Sequence, residues 1–280
     1  MPGFYLSGIR ACLVNNHPIS IIFTFTIMKK LALIFALFLS LPRFAFAWGS
    51  QGHEMVATMA YRLLDRETRQ KLMDYMGTTT LPQMGTWMDD VKNKHSYEYM
   101  KPWHYIYLEK GVTWKPTKNP DIINALSQVT TELKYRKQMD PEAVKTDLMV
   151  LVHLMGDLAQ PLNCGYGSDK GGTELKATVD GRGYTLRSLW DEGIIREMPI
   201  NITDCSDYYN TISPFEIRQI LKGNYIDWMN ESRALLPQVY DTGNGEISQD
   251  YLKKNRKLII VQMVNSAIRL ADILQTVLKS

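Results

Sequence analysis

Cysteine is scarce in this chain of 280 residues, which contains only three. Cys12 lies in an N-terminal segment that we expect to be removed, so only Cys164 and Cys205 would remain in the mature protein. These two could pair in an oxidising compartment, but the sequence leaves the distance between them open. The cysteine content therefore says little about the fold.

Acidic residues are missing from the first 47 positions. Met28-Lys29-Lys30 precedes an apolar stretch over 31–41, and Ala45-Phe46-Ala47 follows it. A basic start, an apolar stretch too short to span a bilayer and a small-residue cleavage site are typical of a signal peptide. We expect Met28 to be the true start, residues 1–47 to be removed, and the mature protein to be periplasmic or secreted, beginning at Trp48.

The charge of the mature chain is low. Removal of residues 1–47 takes away four basic residues and no acid, so the net charge falls from +3 to −1 and 233 residues remain. A basic face of the kind that binds duplex nucleic acid is not predicted. There is no internal repeat or interdomain linker, so we expect 48–280 to form one domain.

Apolar residues recur at helical spacing through most of that domain. Asp140-Pro141 and Ser213-Pro214-Phe215-Glu216 have the pattern of helix starts, the second before a run that ends near Pro237. A last helix is expected from about Gln249 to Leu278. Asp180-Gly181 separates two short alternating segments and predicts a hairpin. The predicted fold class is all-α, a single multi-helix domain with one small β-hairpin.

Histidine is also scarce, since the mature chain has only His53, His95, His104 and His153. His153 and Asp157 are four residues apart and interrupt an apolar stretch, so they share one face of a predicted helix and could bind one ion. A buried aspartate is costly unless it is paired or metal-bound, and an arginine partner is the structural alternative. The α-amino group of Trp48, with a reference pKa of roughly 8, could chelate a metal together with its own carbonyl.

Several further motifs occur in a fixed order along the chain. They are Trp48-Gly49-x-x-Gly52-His53, Trp87-Met88-Asp89, Trp103-His104-Tyr105-Ile106, His153-Leu154-Met155-Gly156-Asp157 with Gln160-Pro161-Leu162, Gly171-Gly172, and Leu189-Trp190-Asp191. With these motifs the chain resembles the trinuclear zinc nucleases of the S1/P1 type, which cut single-stranded DNA and RNA and share the phospholipase C/nuclease fold. The resemblance implies one zinc on Asp89, His104 and His153, a second on Trp48 and His53, and Asp157 as the bridge.

The chain departs from that family at the third zinc. Asn163 and Arg187 stand where the family has histidines, and only Asp191 is retained. Arginine cannot become a ligand, so we expect two zinc ions, a degenerate third site and an ion pair between Arg187 and Asp191. Thr173 replaces an asparagine, and Tyr107 replaces an aspartate that the family associates with base recognition, so substrate preference is open.

The predicted function is that of an exported zinc phosphodiesterase or endonuclease acting on single-stranded DNA and RNA, and on 3′-nucleotides. A hydroxide between two zinc ions would attack, Asp89 would orient it, and Arg187 would bind the phosphate, with a bias toward good leaving groups. Candidate substrate contacts are Tyr105, Tyr107, Lys92 and Thr173. Two alternatives stay open, a phosphodiesterase for lipid head groups or other small phosphodiesters, and a catalytically impaired zinc-binding protein. We expect a monomer without a stable membrane partner.

Overall fold

The computed structural model describes residues 48–279. The predicted extension and signal peptide over 1–47 lie outside the described residues. Helices dominate the described part, as the apolar periodicity predicts. The longer ones are α1 (Ser50–Leu63), α2 (Arg66–Met76), α3 (Leu81–Val91), α4 (Ile122–Lys134), α5 (Pro141–Ala159), α8 (Ile202–Thr211), α10 (Tyr225–Ala234) and α12 (Gln249–Lys279).

Shorter elements connect these helices. A 3₁₀ segment spans His95–His104, and two others span Arg136–Gln138 and Pro161–Cys164. Strands β1 (Lys176–Val179) and β2 (Arg182–Thr185) pair antiparallel and lead into α6 (Leu186–Ser188), a π-helical turn at Leu189–Gly193 and α7 (Ile194–Glu197). The remaining short helices are α9 (Pro214–Ile220) and α11 (Leu236–Val239).

The predicted fold class is confirmed, including the hairpin. Asp180 and Gly181 have φ angles of 47° and 78°, which is the backbone that a two-residue hairpin turn of this sequence type requires. The register pairs Val179 with Arg182 and Lys176 with Thr185. The turn therefore sits where the Asp-Gly pair predicts it.

Capping residues explain where the helices begin. Asp140 accepts hydrogen bonds from the backbone of Glu142 and Ala143 and caps α5, and Ser213 forms a capping box with Glu216 at the start of α9. The expectation of one run from Ser213 to Pro237 is wrong. Helix α9 ends at Ile220, the chain then turns at Gly223, whose φ is 90°, and Asn224 caps a new helix, α10.

Helix α5 is the central element, because it packs against α3, α4 and α12. The carbonyls of its last turns accept side-chain hydrogen bonds from neighbouring helices. Ser266 Oγ donates to Met155 at 2.7 Å, Gln262 to Ala159 at 2.8 Å and Ser232 to Leu158 at 2.7 Å. The bonds to Leu158 and Ala159 satisfy carbonyls that the helix end leaves unpaired, and all three bonds fix the part of α5 that carries His153 and Asp157.

Helix α12 is long and apolar enough to cross a membrane by length and composition, but 61% of its most apolar window is buried inside the protein. It packs against α1 and α5, which is the environment of a core helix. Cys164 and Cys205 are both buried and free, so within the described residues they do not form the disulfide that the sequence left open.

Candidate metal centre

Three helices and one 3₁₀ segment bring the predicted metal ligands together. Helix α1 carries His53, α3 carries Asp89, α5 carries His153 and Asp157, and the 3₁₀ segment ends at His104. Two glycines permit this approach. A Cβ on Gly85 would lie 2.7 Å from the His53 carbonyl oxygen, and a Cβ on Gly156 would lie 2.8 Å from His53 Nδ1. Neither steric role was predicted from the sequence, because both depend on which helices cross.

Asp157 lies at the middle of the cluster and is fully buried. Its Oδ1 is 3.4 Å from His53 Nε2, while its Oδ2 is 3.0 Å from His104 Nδ1 and 3.2 Å from His153 Nε2. The two carboxylate oxygens therefore face two different sets of histidine nitrogens. A carboxylate so oriented can bridge two ions.

The histidine rings are oriented by their surroundings. His153 Nδ1 donates a hydrogen bond to the Gly85 carbonyl at 2.7 Å, which directs Nε2 toward Asp157 and His104. A backbone carbonyl that holds the second ring nitrogen is a common feature of metal-binding histidines. The His53 ring stacks on the His153 ring with centroids 4.0 Å apart, so the two rings fix each other. The buried Nε2 of His104 has no hydrogen-bond partner within residues 48–279.

The electrostatics of the cluster are dominated by Asp157. Burial acts to lower the pKa of His153, but the Asp157 carboxylate outweighs it and raises that pKa to about 9. The same histidines hold the pKa of Asp157 well below its usual range despite burial. Burial and the neighbouring His153 lower the pKa of His53. The carboxylate is therefore ionised over the physiological pH range and can act as an anionic ligand.

Asp89 lies at the edge of the cluster. Burial acts to raise its pKa, but His153 and His53 outweigh it, and the resulting pKa is lowered. Lys92 Nζ donates to Asp89 Oδ1 at 2.9 Å. The structure thus places the predicted phosphate contact Lys92 directly beside the predicted ligand Asp89.

The described residues offer two overlapping groups of candidate metal ligands. His53, His153 and Asp157 form one group whose ligand atoms lie within 4.8 Å of one another, and Asp89, His104 and His153 form a second. Imidazole nitrogens and carboxylate oxygens are ordinary zinc ligands. Trp48 is fully buried, and the backbone N–H of the next residue, Gly49, donates to the Asp191 carbonyl at 2.6 Å. This bond fixes the chain beside the predicted N-terminal ligand.

Asn163, Arg187 and Asp191 form a hydrogen-bonded network. Arg187 Nε donates to Asp191 Oδ2 at 2.8 Å, and Arg187 Nη2 donates to Asn163 Oδ1. Asn163 Nδ2 donates in turn to Asp157 Oδ1 at 2.9 Å. The ion pair predicted from the spacing of Arg187 and Asp191 is present. This donor set does not fit a metal ion, because a guanidinium occupies the space between the two potential ligands.

Gln160 completes this network and was not assigned a role from the sequence. Its Nε2 donates to Asp191 Oδ1 at 2.7 Å, and its Oε1 accepts from the Leu162 backbone at 2.6 Å. Burial raises the pKa of Asp191 to about 7, although Arg187 and Gln160 both oppose the shift. Asp191 also lies in the π-helical turn Leu189–Gly193, and such turns are frequent at functional sites. No pattern in the sequence predicted that π-helical turn.

The remaining predicted substrate contacts are Tyr105, Tyr107 and Thr173, and they differ in their surroundings. Tyr105 and Tyr107 stack on each other with ring centroids 4.6 Å apart, and Tyr105 is 37% exposed. Burial raises the pKa of Tyr107, while Arg187 acts to lower it, so this ring lies near the guanidinium. Thr173 is exposed and donates to the Lys170 carbonyl at 2.9 Å. Its predicted substrate contact stays a prediction.

Comparison with known proteins identifies the family of the chain. The family model described as S1/P1 Nuclease matches residues 48–279. Endonuclease 2 of Arabidopsis thaliana is 23% identical over 231 residues, covering 74% of this chain and 77% of that protein. Nuclease S1 of Aspergillus oryzae is 28% identical over 180 residues, covering 61% and 62%. Nuclease P1 of Penicillium citrinum is 22% identical over 193 residues, covering 64% and 68%.

Among solved structures, the α-toxin of an avian strain of Clostridium perfringens aligns with a TM-score of 0.45 and 14% identity, covering 84% of this chain and 66% of the toxin. The family model, in contrast, matches all of the described residues. The chain therefore belongs to the S1/P1 nuclease family, a family of enzymes that cleave the phosphodiester bonds of nucleic acids.

Proposed function

We propose that the protein is an exported zinc-dependent phosphodiesterase that hydrolyses single-stranded DNA and RNA. The observation that carries the proposal is the orientation of Asp157, whose Oδ1 faces His53 and whose Oδ2 faces His104 and His153. Zinc bound in this way supplies a Lewis acid and lowers the pKa of water toward neutrality. Asp89, Asp157 and the three histidines would hold the two ions.

The protein side chains orient the water, neutralise the phosphate and bind a base. Asp89 is ionised and lies at the edge of the ligand cluster, so it can orient the attacking water through a hydrogen bond. Lys92, 2.9 Å from Asp89, supplies positive charge for a non-bridging phosphate oxygen. The exposed face of Tyr105 offers a stacking surface for a base, and stacking requires no particular sequence. Single strands are favoured because their bases are free to stack.

Processing belongs to the proposal, because the amine of Trp48 exists only after the preceding peptide bond is cleaved. Export with cleavage before Trp48 would create this ligand, and the signal-peptide pattern over 28–47 supports it. Mass spectrometry of the secreted protein is expected to give a chain that begins at Trp48. A first residue other than Trp48 would contradict this part of the proposal. We also propose that residues 48–280 act as a monomeric domain without a stable membrane partner, which light scattering of the purified protein tests.

The activity test uses protein that begins at Trp48, with zinc, on single-stranded DNA. Asp89→Ala is expected to abolish cleavage. The matched control is Asp90→Ala, which removes an exposed neighbour that accepts from Thr86 and is expected to retain activity. Absence of cleavage in the unmodified protein would favour a small phosphodiester substrate or a zinc-binding protein without turnover. Equal loss in both variants would argue against the role of Asp89.

A further inference from the structure

Arg187 is a buried cation with an unused donor. Only 6% of its surface is exposed. Its Nε is bonded to Asp191 and its Nη2 to Asn163. The Tyr107 side chain also interacts with the guanidinium, but the buried Nη1 has no well-formed hydrogen bond in the part of the chain that the structure describes. A buried charged donor without an acceptor is costly, so such a group calls for an explanation through a ligand.

The position of Arg187 relative to the metal cluster indicates what that ligand is. The chain of hydrogen bonds runs from Asp191 through Arg187 and Asn163 to Asp157 Oδ1. Asp157 would bridge the proposed metal pair, so the guanidinium is one side chain, Asn163, away from that pair. Guanidinium groups match the oxygens of phosphate in both charge and geometry.

We propose that Arg187 is a phosphate-binding residue that takes the place of a third metal ion, so that this enzyme works with two zinc ions and one guanidinium. This inference rests on the proposed phosphodiesterase function and names its substrate class. Asn163 and Asp191 are positioning residues that hold Nε and Nη2 and leave Nη1 for a phosphate oxygen on the side of the leaving group.

A guanidinium stabilises a leaving oxygen differently from a metal ion. It donates hydrogen bonds and neutralises charge, but it does not form a bond to the oxygen as a Lewis acid does. Poor leaving groups, such as the sugar alkoxide of a nucleic acid, need the greater stabilisation. The substrates that this site favours are therefore phosphodiesters whose leaving group has a low pKa, such as aryl esters.

The first test measures binding, so it does not depend on turnover. Zinc-loaded protein that begins at Trp48 is titrated with inorganic phosphate by calorimetry, and its zinc content is measured by mass spectrometry. We expect two zinc ions per chain. Arg187→Lys keeps a positive charge beside Asp191 but removes Nη1, and the phosphate dissociation constant is expected to rise about tenfold or more. Arg182→Lys, at an exposed arginine that pairs with Glu197, is the matched control and should bind phosphate unchanged.

The second test restores the missing ligands. Asn163→His combined with Arg187→His would offer two histidines and Asp191, a complete zinc donor set. This variant is expected to hold three zinc ions and to shift the ratio of kcat/KM for an aryl phosphodiester over single-stranded DNA toward the nucleic acid. A melting curve for each variant verifies folding. If the double variant does not fold, the phosphate titration of Arg187→Lys still tests whether Arg187 binds phosphate.

Three zinc ions in the unmodified protein, no phosphate binding by it, or equal phosphate binding by Arg187→Lys would overturn the inference. Phosphate binding that weakens in Arg187→Lys, together with no hydrolysis of any phosphodiester, would support the anion site and contradict the proposed function. Hydrolysis that is unaffected by Arg187→Lys would support the proposed function and contradict the anion site.

Discussion

Gly156 is the position where one added methyl group tests the metal site most sharply. A Cβ at this residue would lie 2.8 Å from His53 Nδ1 and 3.1 Å from His53 Cε1, closer than van der Waals contact allows. The His53 ring cannot simply slide away, because it stacks on His153 with an interplanar angle of 6°. Gly156→Ala is therefore expected to tilt His53 away from Asp157.

The expected magnitudes separate stability from metal binding. Alanine gains about 1 kcal/mol over glycine in a helix interior, and overpacking costs about 1–3 kcal/mol. These effects oppose each other, so the free energy of unfolding should fall by about 0–2 kcal/mol. Displacing one ligand should lower zinc affinity roughly tenfold to hundredfold, by analogy with losses from perturbed ligand orientation.

The assays are urea denaturation for stability and competition with a chromophoric chelator for zinc affinity. Gly183→Ala is the matched control, since a Cβ there meets no atom within 4 Å and both quantities should be unchanged. Zinc affinity in Gly156→Ala equal to that of the unmodified protein would refute the placement of His53 over Gly156.

Three further predictions concern other residues. Gly85→Ala would press a Cβ against the His53 carbonyl and separate α1 from α3, so we expect denaturation to show a loss of about 1–3 kcal/mol. Asn163→Ala removes the donor to Asp157 Oδ1 and should weaken zinc binding about tenfold in the chelator assay, while unchanged affinity would contradict the role of Asn163. Burial first, and Glu132 second, raises the pKa of Asp147 to about 7, so its ionisation destabilises the fold as pH rises from about 4 to about 7. The shift corresponds to about 4 kcal/mol, which partial exposure reduces to about 1–2 kcal/mol. Asp147→Asn should therefore raise the melting temperature at pH 8 and not at pH 4, and a gain of equal size at both pH values would exclude this cause.

Local signals predicted the elements of the fold well. Asp140 and Ser213 mark helix starts because their side chains satisfy the first backbone N–H groups, and Asp180-Gly181 marks the hairpin because its turn needs positive φ. The break at Gly223 was missed. A single glycine within an apolar pattern is compatible with both a continued helix and an interruption, and only packing decides between them.

The site was predictable where motif and chemistry coincide. His153 and Asp157 share a helix face, so their proximity follows from spacing alone. Other features of the site depend on contacts between distant segments. These are the orientation of the Asp157 oxygens, the hydrogen bond from His153 to the Gly85 carbonyl, and the hydrogen bond from Gln160 to Asp191. No local pattern encodes such contacts. Arg187 was predicted to pair with Asp191, but its bond to Asn163 and its unused Nη1 became visible only in the structure.

The measurement that tests this account most directly is anomalous diffraction at the zinc edge from crystals of the processed protein. We expect two peaks. One lies among Asp89, His104 and His153, and the other lies beside His53 and the amine of Trp48, with Asp157 between them. A single peak, no peak, or a third peak between Asn163 and Asp191 would contradict it.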